Sequence, residues 1–144
     1  MAEGTILLVE DNPDDVALIL RALKKMACVK AITVLHNGQQ ALDYLFARGS
    51  FAERDPRELP SLVILDLKMP KVGGLGVLRQ LRENETTQVL PTVVFTSSRE
   101  ERDLAAAYHL GTNSYICKPT DYTELEAIMQ SLGQYWCEIN EPLR

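Results

Sequence analysis

Positive charge is what this 144-residue chain has too little of: 15 Lys and Arg stand against 20 Asp and Glu, a formal net charge of −5. Duplex nucleic acid and anionic membranes are bound through a basic face, so the balance argues against both as partners. No apolar run approaches the ~18 residues of a membrane span. The opening residues MAEGTILLVED carry no basic stretch ahead of the apolar one, which argues against a secretory signal. The three cysteines, Cys28, Cys117 and Cys137, are odd in number and lack CxxC spacing. They read as thiols in a reducing cytoplasm, not as a disulfide frame or a zinc site. No G-x-G-x-x-G follows the first apolar run, so dinucleotide binding has no support. Internal repeats and low-complexity tracts are also missing.

What is present is a normal apolar fraction, 46%. A single domain of this length buries roughly two-thirds of its unfolded surface, enough for a core without metal or disulfide staples. Apolar runs of strand length sit at 5–9 (TILLV), 31–35 (AITVL), 62–65 (LVIL), 92–95 (TVVF) and 114–117 (SYIC). Segments with helical period separate them. Asn12 and Pro13 suit the start of the first helix, with Asp14 and Asp15 as charges at the positive end of its dipole. Asn37-Gly38 reads as a turn, and 48–60, with two prolines, as a loop or frayed helix extension. Ser98 with Glu101, and Asp121 with Glu124, look like capping boxes for helices four and five, and Gly111 can end helix four. Helix five is expected to run through Gly133 to about Ile139, at a cost of about 1 kcal/mol relative to Ala at the glycine. Strict alternation of five strands and five helices demands crossovers, hence an α/β doubly wound parallel sheet with helices on both faces. One domain spanning 1–144 is expected. The 26 residues after Lys118 leave room for helix five and no output domain.

Chemistry-capable residues fall just past the strands: Glu10 and Asp11 after the first, Asp66 after the third, Thr96 and Ser97 at the fourth, Lys118 and Pro119 after the fifth. In an open parallel sheet all carboxyl ends share one edge, where ligands bind. Two carboxylates ~5 Å apart repel by about 3 kcal/mol at an effective dielectric of ~20, so three need a counter-charge. Mg²⁺, a hard cation taking carboxylates, waters and a phosphate oxygen, suits them. With one lysine and one threonine beside it, the set suits a phosphoryl group. Asp66, at the end of the central strand, is the best-placed nucleophile.

At this point the residues resemble the receiver domains of two-component response regulators. The match spans essentially the whole chain: LLVEDNPDD with Glu10 and Asp11, LVILDLKMPKVGG with Asp66 and Met69-Pro70, VVFTSS with Thr96, and GTNSYICKP with Tyr115, Lys118 and Pro119. The resemblance implies a flavodoxin-like sheet of order 2-1-3-4-5 and a signalling protein, not a turnover enzyme. It implies that Asp66 accepts phosphate from a histidine kinase. Glu10 and Asp11 would bind Mg²⁺ with Asp66 and the backbone carbonyl of Lys68. Thr96 and Lys118 would contact the phosphoryl oxygens, Tyr115 would turn inward on activation, and the Lys118–Pro119 bond would be cis. The long segment 48–60, the LKMPK run and the LGQYW tail look like the stand-alone regulators paired with bacterial phytochromes.

Plainer readings stand beside these. His36 and His109 read as surface residues, and Tyr115 as strand packing if not a switch. Tyr135, Trp136 and Ile139 either cap the core or form a homodimer interface along helix five; the interface is preferred, since they lie beyond the turns needed to cover the sheet. A haloacid-dehalogenase-type phosphatase would need a second Asp two residues after the nucleophile, where this chain has Lys68. The remaining alternative is a pseudo-receiver that binds partners without being phosphorylated.

Overall fold

The computed structural model describes residues 2–143, so of the expected span Met1 and Arg144 lie outside the described residues. Strands β1 (Ala2–Val9), β2 (Ala31–Leu35), β3 (Pro60–Leu65), β4 (Thr92–Thr96) and β5 (Ser114–Cys117) alternate with α1 (Pro13–Leu23), α2 (Gly38–Leu45), α3 (Gly74–Glu83), α4 (Glu101–His109) and α5 (Tyr122–Gln134). The strands form one parallel sheet of order β2-β1-β3-β4-β5. The fold is therefore the flavodoxin-like one.

The pleat of the central strands explains why both faces are covered. Ile6 and Leu8, Leu62 and Ile64, and Val93 and Phe95 point to one face, where α1 and α5 bury Ile19, Leu23, Leu125 and Met129 on them. Leu7 and Val9, Val63 and Leu65, and Val94 point to the other, under Leu42, Leu45, Val77, Leu78 and Leu81 of α2 and α3. Continuous apolar runs are what a strand buried on both sides requires. Helix α4 is the shallow one, with Ala107 its only fully buried residue.

Helix starts follow local chemistry. Asn12 Oδ1 accepts the N–H groups of Asp14 and Asp15 at 2.9 and 3.1 Å. Asn37, read as part of a turn, instead caps α2 by accepting the Gln40 N–H at 2.9 Å. Asp121 caps α5 through the Thr123 N–H at 3.2 Å. The Ser98–Glu101 capping box does not form. Helix α4 starts later, with Glu100 at its N-cap, because Ser98 is tied to the end of β4. Beyond α5, Tyr135–Ile139 continue as a π-helix, closed by the Asn140 N–H on the Tyr135 carbonyl at 2.6 Å, and lie against β1 and β3. There Trp136 is half-buried on the core while Tyr135 and Ile139 are 46% and 62% exposed. Segment 48–60 opens with a short 3-10 helix, Gly49–Phe51, and runs as a loop up to β3 at Pro60; the Arg54 guanidinium stacks 3.7 Å from the Tyr44 ring centroid and bonds the carbonyls of Tyr44 and Glu58.

Two glycines mark close approaches of opposite kind. A Cβ at Gly74 would stand 2.2 Å from the Asp66 carbonyl oxygen and 2.7 Å from the Leu67 Cα, backbone atoms that hold the β3 end in place. A Cβ at Gly133 would meet the Met26 sulfur at 2.5 Å, the end of a flexible side chain. Gly133 thus has a packing role beyond its helix cost. Gly74→Ala is expected to cost about 2–3 kcal/mol in urea unfolding, and Gly133→Ala under about 1 kcal/mol because Met26 can turn away and Ala favours the helix. Equal losses would contradict this.

Candidate functional site

The hydrogen-bond ladder runs one residue beyond the strands and fixes the site. The Glu10 N–H donates to the Leu35 carbonyl at 2.9 Å, the Asp66 N–H to Val9 at 3.1 Å, and the Lys118 N–H to Thr96 at 2.7 Å. Residues far apart in sequence are thereby brought to one rim. Glu10 and Asp66 are buried, 1% and 6% exposed, and Asp11 beside them is open to solvent. One carboxylate oxygen from each of Glu10, Asp11 and Asp66 lies within 4.8 Å of the others. An all-oxygen donor set with one exposed member fits a hard divalent cation that keeps water ligands.

The Lys118 ammonium sits against this cluster. Its Nζ is 2.7 Å from Glu10 Oε1, 2.8 Å from Asp15 Oδ2 and 3.1 Å from Asp66 Oδ2. The remaining carboxylate oxygens are also engaged: Glu10 Oε2 accepts the Asn12 N–H at 3.1 Å, and Asp66 Oδ1 the Leu67 N–H at 2.7 Å. Burial pushes the Glu10 carboxyl up from 4.5 to about 7, with the Asp66 charge adding to it and the Lys118 hydrogen bond opposing it. Dehydration is the larger cause, ahead of repulsion between the acids. For Lys118, burial lowers its pKa, but hydrogen bonds to Asp15 and Glu10 and the charges of Asp66 and Glu10 outweigh it and hold the ammonium above 10.5.

Thr96 is fully buried, and its Oγ1 accepts the Ser98 N–H at 3.3 Å. The carbonyl of that same residue accepts the Tyr115 hydroxyl at 3.0 Å, while the Ser98 hydroxyl donates to Asp103 of α4. Ser98 therefore links Thr96, Tyr115 and α4. Lys68 follows Asp66 in the β3–α3 loop with its side chain in solvent. The Lys118–Pro119 bond is trans, as are all bonds among the described residues, which corrects the cis expectation. Trans is the lower-energy isomer before proline, and the backbone bond of Lys118 to Thr96 is made in that form. His36 and His109 are exposed.

Asp15 is the site residue that sequence reasoning passed over as a helix-end charge. The available signal was its place: side chains tilt toward a helix's N-terminus, so the third helical residue points back at the strand end.

Residues 6–130 match the family model of the response regulator receiver domain. The chain is 40% identical over 131 residues to the probable methanogenesis regulatory protein FilR2 of Methanothrix harundinacea, covering 91% of this chain and 82% of FilR2. It is 35% identical over 133 residues to the response regulator Rcp1 of Synechocystis sp., covering 92% of this chain and 88% of Rcp1. The crystal structure of the Mn²⁺-bound form of Rcp1 aligns over 99% of this chain and 100% of that one, with TM-score 0.90 and 30% identity. The phosphorylated cyanobacterial phytochrome response regulator RcpA aligns over 97% and 98%, with TM-score 0.90 and 31% identity.

The raised Glu10 pKa carries a stability consequence. Between 4.5 and about 7 the folded state holds a proton that the unfolded chain releases, so stability falls as pH rises through that window. In EDTA, Glu10→Gln should remove this dependence. Its stability relative to wild type is expected to improve by up to about 3 kcal/mol between pH 4.5 and 8 in urea titrations. A difference that stays constant with pH would refute the assignment.

Proposed function

Since the chain belongs to the response regulator receiver family, we propose that it is a stand-alone two-component response regulator whose Asp66 accepts a phosphoryl group from a sensor histidine kinase. The observation that carries this reading is the Lys118 ammonium 3.1 Å from Asp66 Oδ2, beside three oxygen donors of cation-site spacing. In the transfer, an Asp66 carboxylate oxygen forms the new P–O bond as the P–N bond of the kinase phosphohistidine breaks, and the freed imidazole nitrogen takes up a proton. Glu10, Asp11, Asp66 and the Lys68 carbonyl would hold Mg²⁺, which when bound neutralises charge on the phosphoryl oxygens. Lys118 supplies a second positive charge to the same oxygens, and Thr96 a hydroxyl donor.

The switch follows from the contacts of Ser98. If Thr96 turns toward the phosphoryl group, it gives up the Ser98 N–H, and the carbonyl that anchors Tyr115 shifts with that residue. Tyr115 then moves inward, and the face formed by α4, β5 and α5 changes. Helix α4 is suited to move, since only Ala107 anchors it fully in the core. Output passes through that face or through assembly. Tyr135 and Ile139, exposed on the π-helix beside half-buried Trp136, are the proposed homodimer contact. A phytochrome-type kinase is the proposed phosphate donor, supported by the similarity to RcpA along nearly its whole length. A cytoplasmic location is part of this proposal; no helix among the described residues is long and apolar enough to cross a membrane.

Acetyl phosphate with Mg²⁺ should add one phosphoryl group to the wild type, seen by intact-mass spectrometry, and none to Asp66→Asn; Lys118→Ala should slow labelling about a hundredfold. An unlabelled wild type would leave the pseudo-receiver reading in its place. Trp136 fluorescence should change little on labelling, since that residue packs beside β1 and β3, away from the carboxyl rim. For assembly, sedimentation should find wild type dimeric at tens of micromolar and Ile139→Asp monomeric. A monomeric wild type would remove the interface.

A further inference from the structure

Lys118 has three N–H donors, and each faces a carboxylate: Glu10 at 2.7 Å, Asp15 at 2.8 Å and Asp66 at 3.1 Å. Glu10 and Asp66 belong to the cluster with cation spacing, and Asp15 does not. A divalent cation taking Glu10 meets an oxygen already paired with the ammonium and a second already accepting the Asn12 N–H. Two positive charges on one carboxylate repel, which favours a shift away from Glu10 by the ammonium. Its side chain is only 11% exposed, and withdrawal into water would require unpacking the rim. Asp15 lies within reach on the first turn of α1, partly buried, with a carboxylate that the cation does not need.

We propose that Asp15 is a positioning residue: it receives the Lys118 ammonium when a divalent cation takes Glu10, and so sets the metal affinity of the Glu10–Asp11–Asp66 cluster. This rests on the reading of that cluster as the cation site. Without Asp15, the only carboxylates left to Lys118 among the described residues are two of the metal's own ligands, and ammonium and metal compete for them. Asp14, the preceding residue on the same turn, carries the same charge but is exposed and makes no contact with Lys118 among the described residues, which makes it the control for bulk electrostatics.

The test titrates MgCl₂ calorimetrically into the full chain as wild type, Asp14→Asn, Asp15→Asn and Asp15→Glu. Asp15→Asn should weaken Mg²⁺ about tenfold and Asp14→Asn by less than about twofold, with Asp15→Glu recovering most of the loss. Circular dichroism melts without metal establish that each variant is folded. In acetyl phosphate labelling, the Mg²⁺ concentration for half-maximal rate should rise by the same factor in Asp15→Asn, with the rate at saturating Mg²⁺ nearly unchanged. Equal weakening in Asp14→Asn and Asp15→Asn, or none in Asp15→Asn, overturns the proposal. So does a lowered saturating rate with unchanged half-saturation, which would place Asp15 on the phosphoryl transfer itself. A wild type that takes up no Mg²⁺ would sink the cation-site reading instead, an outcome seen before any variant is compared.

Discussion

The Lys118 ammonium, shared among Glu10, Asp15 and Asp66 at 2.7–3.1 Å, is the interaction on which the carboxyl rim depends. With Asp11 nearby, four carboxylates face a single cation. Such a cluster is unstable as a collection of free ions, and the parallel sheet leaves no way to disperse it. The same ladder bonds that extend β1 and β3 hold Glu10 and Asp66 side by side. One response is visible in Glu10, whose burial favours the protonated carboxyl up to about pH 7. The other is the triple ion pair. Two hydrophobic layers pack the strands beneath it on both faces.

The two layers grip α4 least. Ser98 joins the rim to that helix. Its N–H is held by Thr96, its carbonyl by Tyr115 and its hydroxyl by Asp103 of α4, so three elements share one residue. The loop cannot shift at one contact and stay at the others. Helix α4 meets the core through one fully buried alanine and exposes Leu104 and Tyr108 at 40% and 50%. Few buried apolar contacts make local stability low there.

Most of the fold was legible because it rests on short-range regularities. All five strands announce themselves as apolar runs, and β2 and β5 begin and end where their runs do. The strand ends exposed the rim, since parallel topology collects them whatever the loops do. What escaped depends on contacts between distant residues. Three residues of β1 precede its apolar run and rejoin the sheet only after a register shift between Ala2 and Ile6. Segment 48–60 is composed like a loop, yet Arg54 pins it to Tyr44, a pairing no local pattern announces. Ser98 has the right spacing for a capping box, but its bonds to Thr96 and Tyr115 take precedence over the helix. Asp15 and Asp14 are indistinguishable by composition, and only the turn of about 100° between successive helical residues points one inward.

That pair also shows why a count of acids cannot stand for a site. Asp14 and Asp15 add the same charge to α1 and sit equally well at its positive end. A solvent-exposed carboxylate contributes little beyond that, because water screens it. Asp15, partly buried beside a nearly buried lysine, acts across a medium of lower dielectric. Its effect there depends on which groups share the ammonium. Glu10 and Asp66 share it while belonging to the cation cluster, whereas Asp15 is committed to nothing else at the rim. A rim with only the former two would have to lose its lysine contacts to gain a metal. With the third, the ammonium keeps a carboxylate partner that lies outside the cluster.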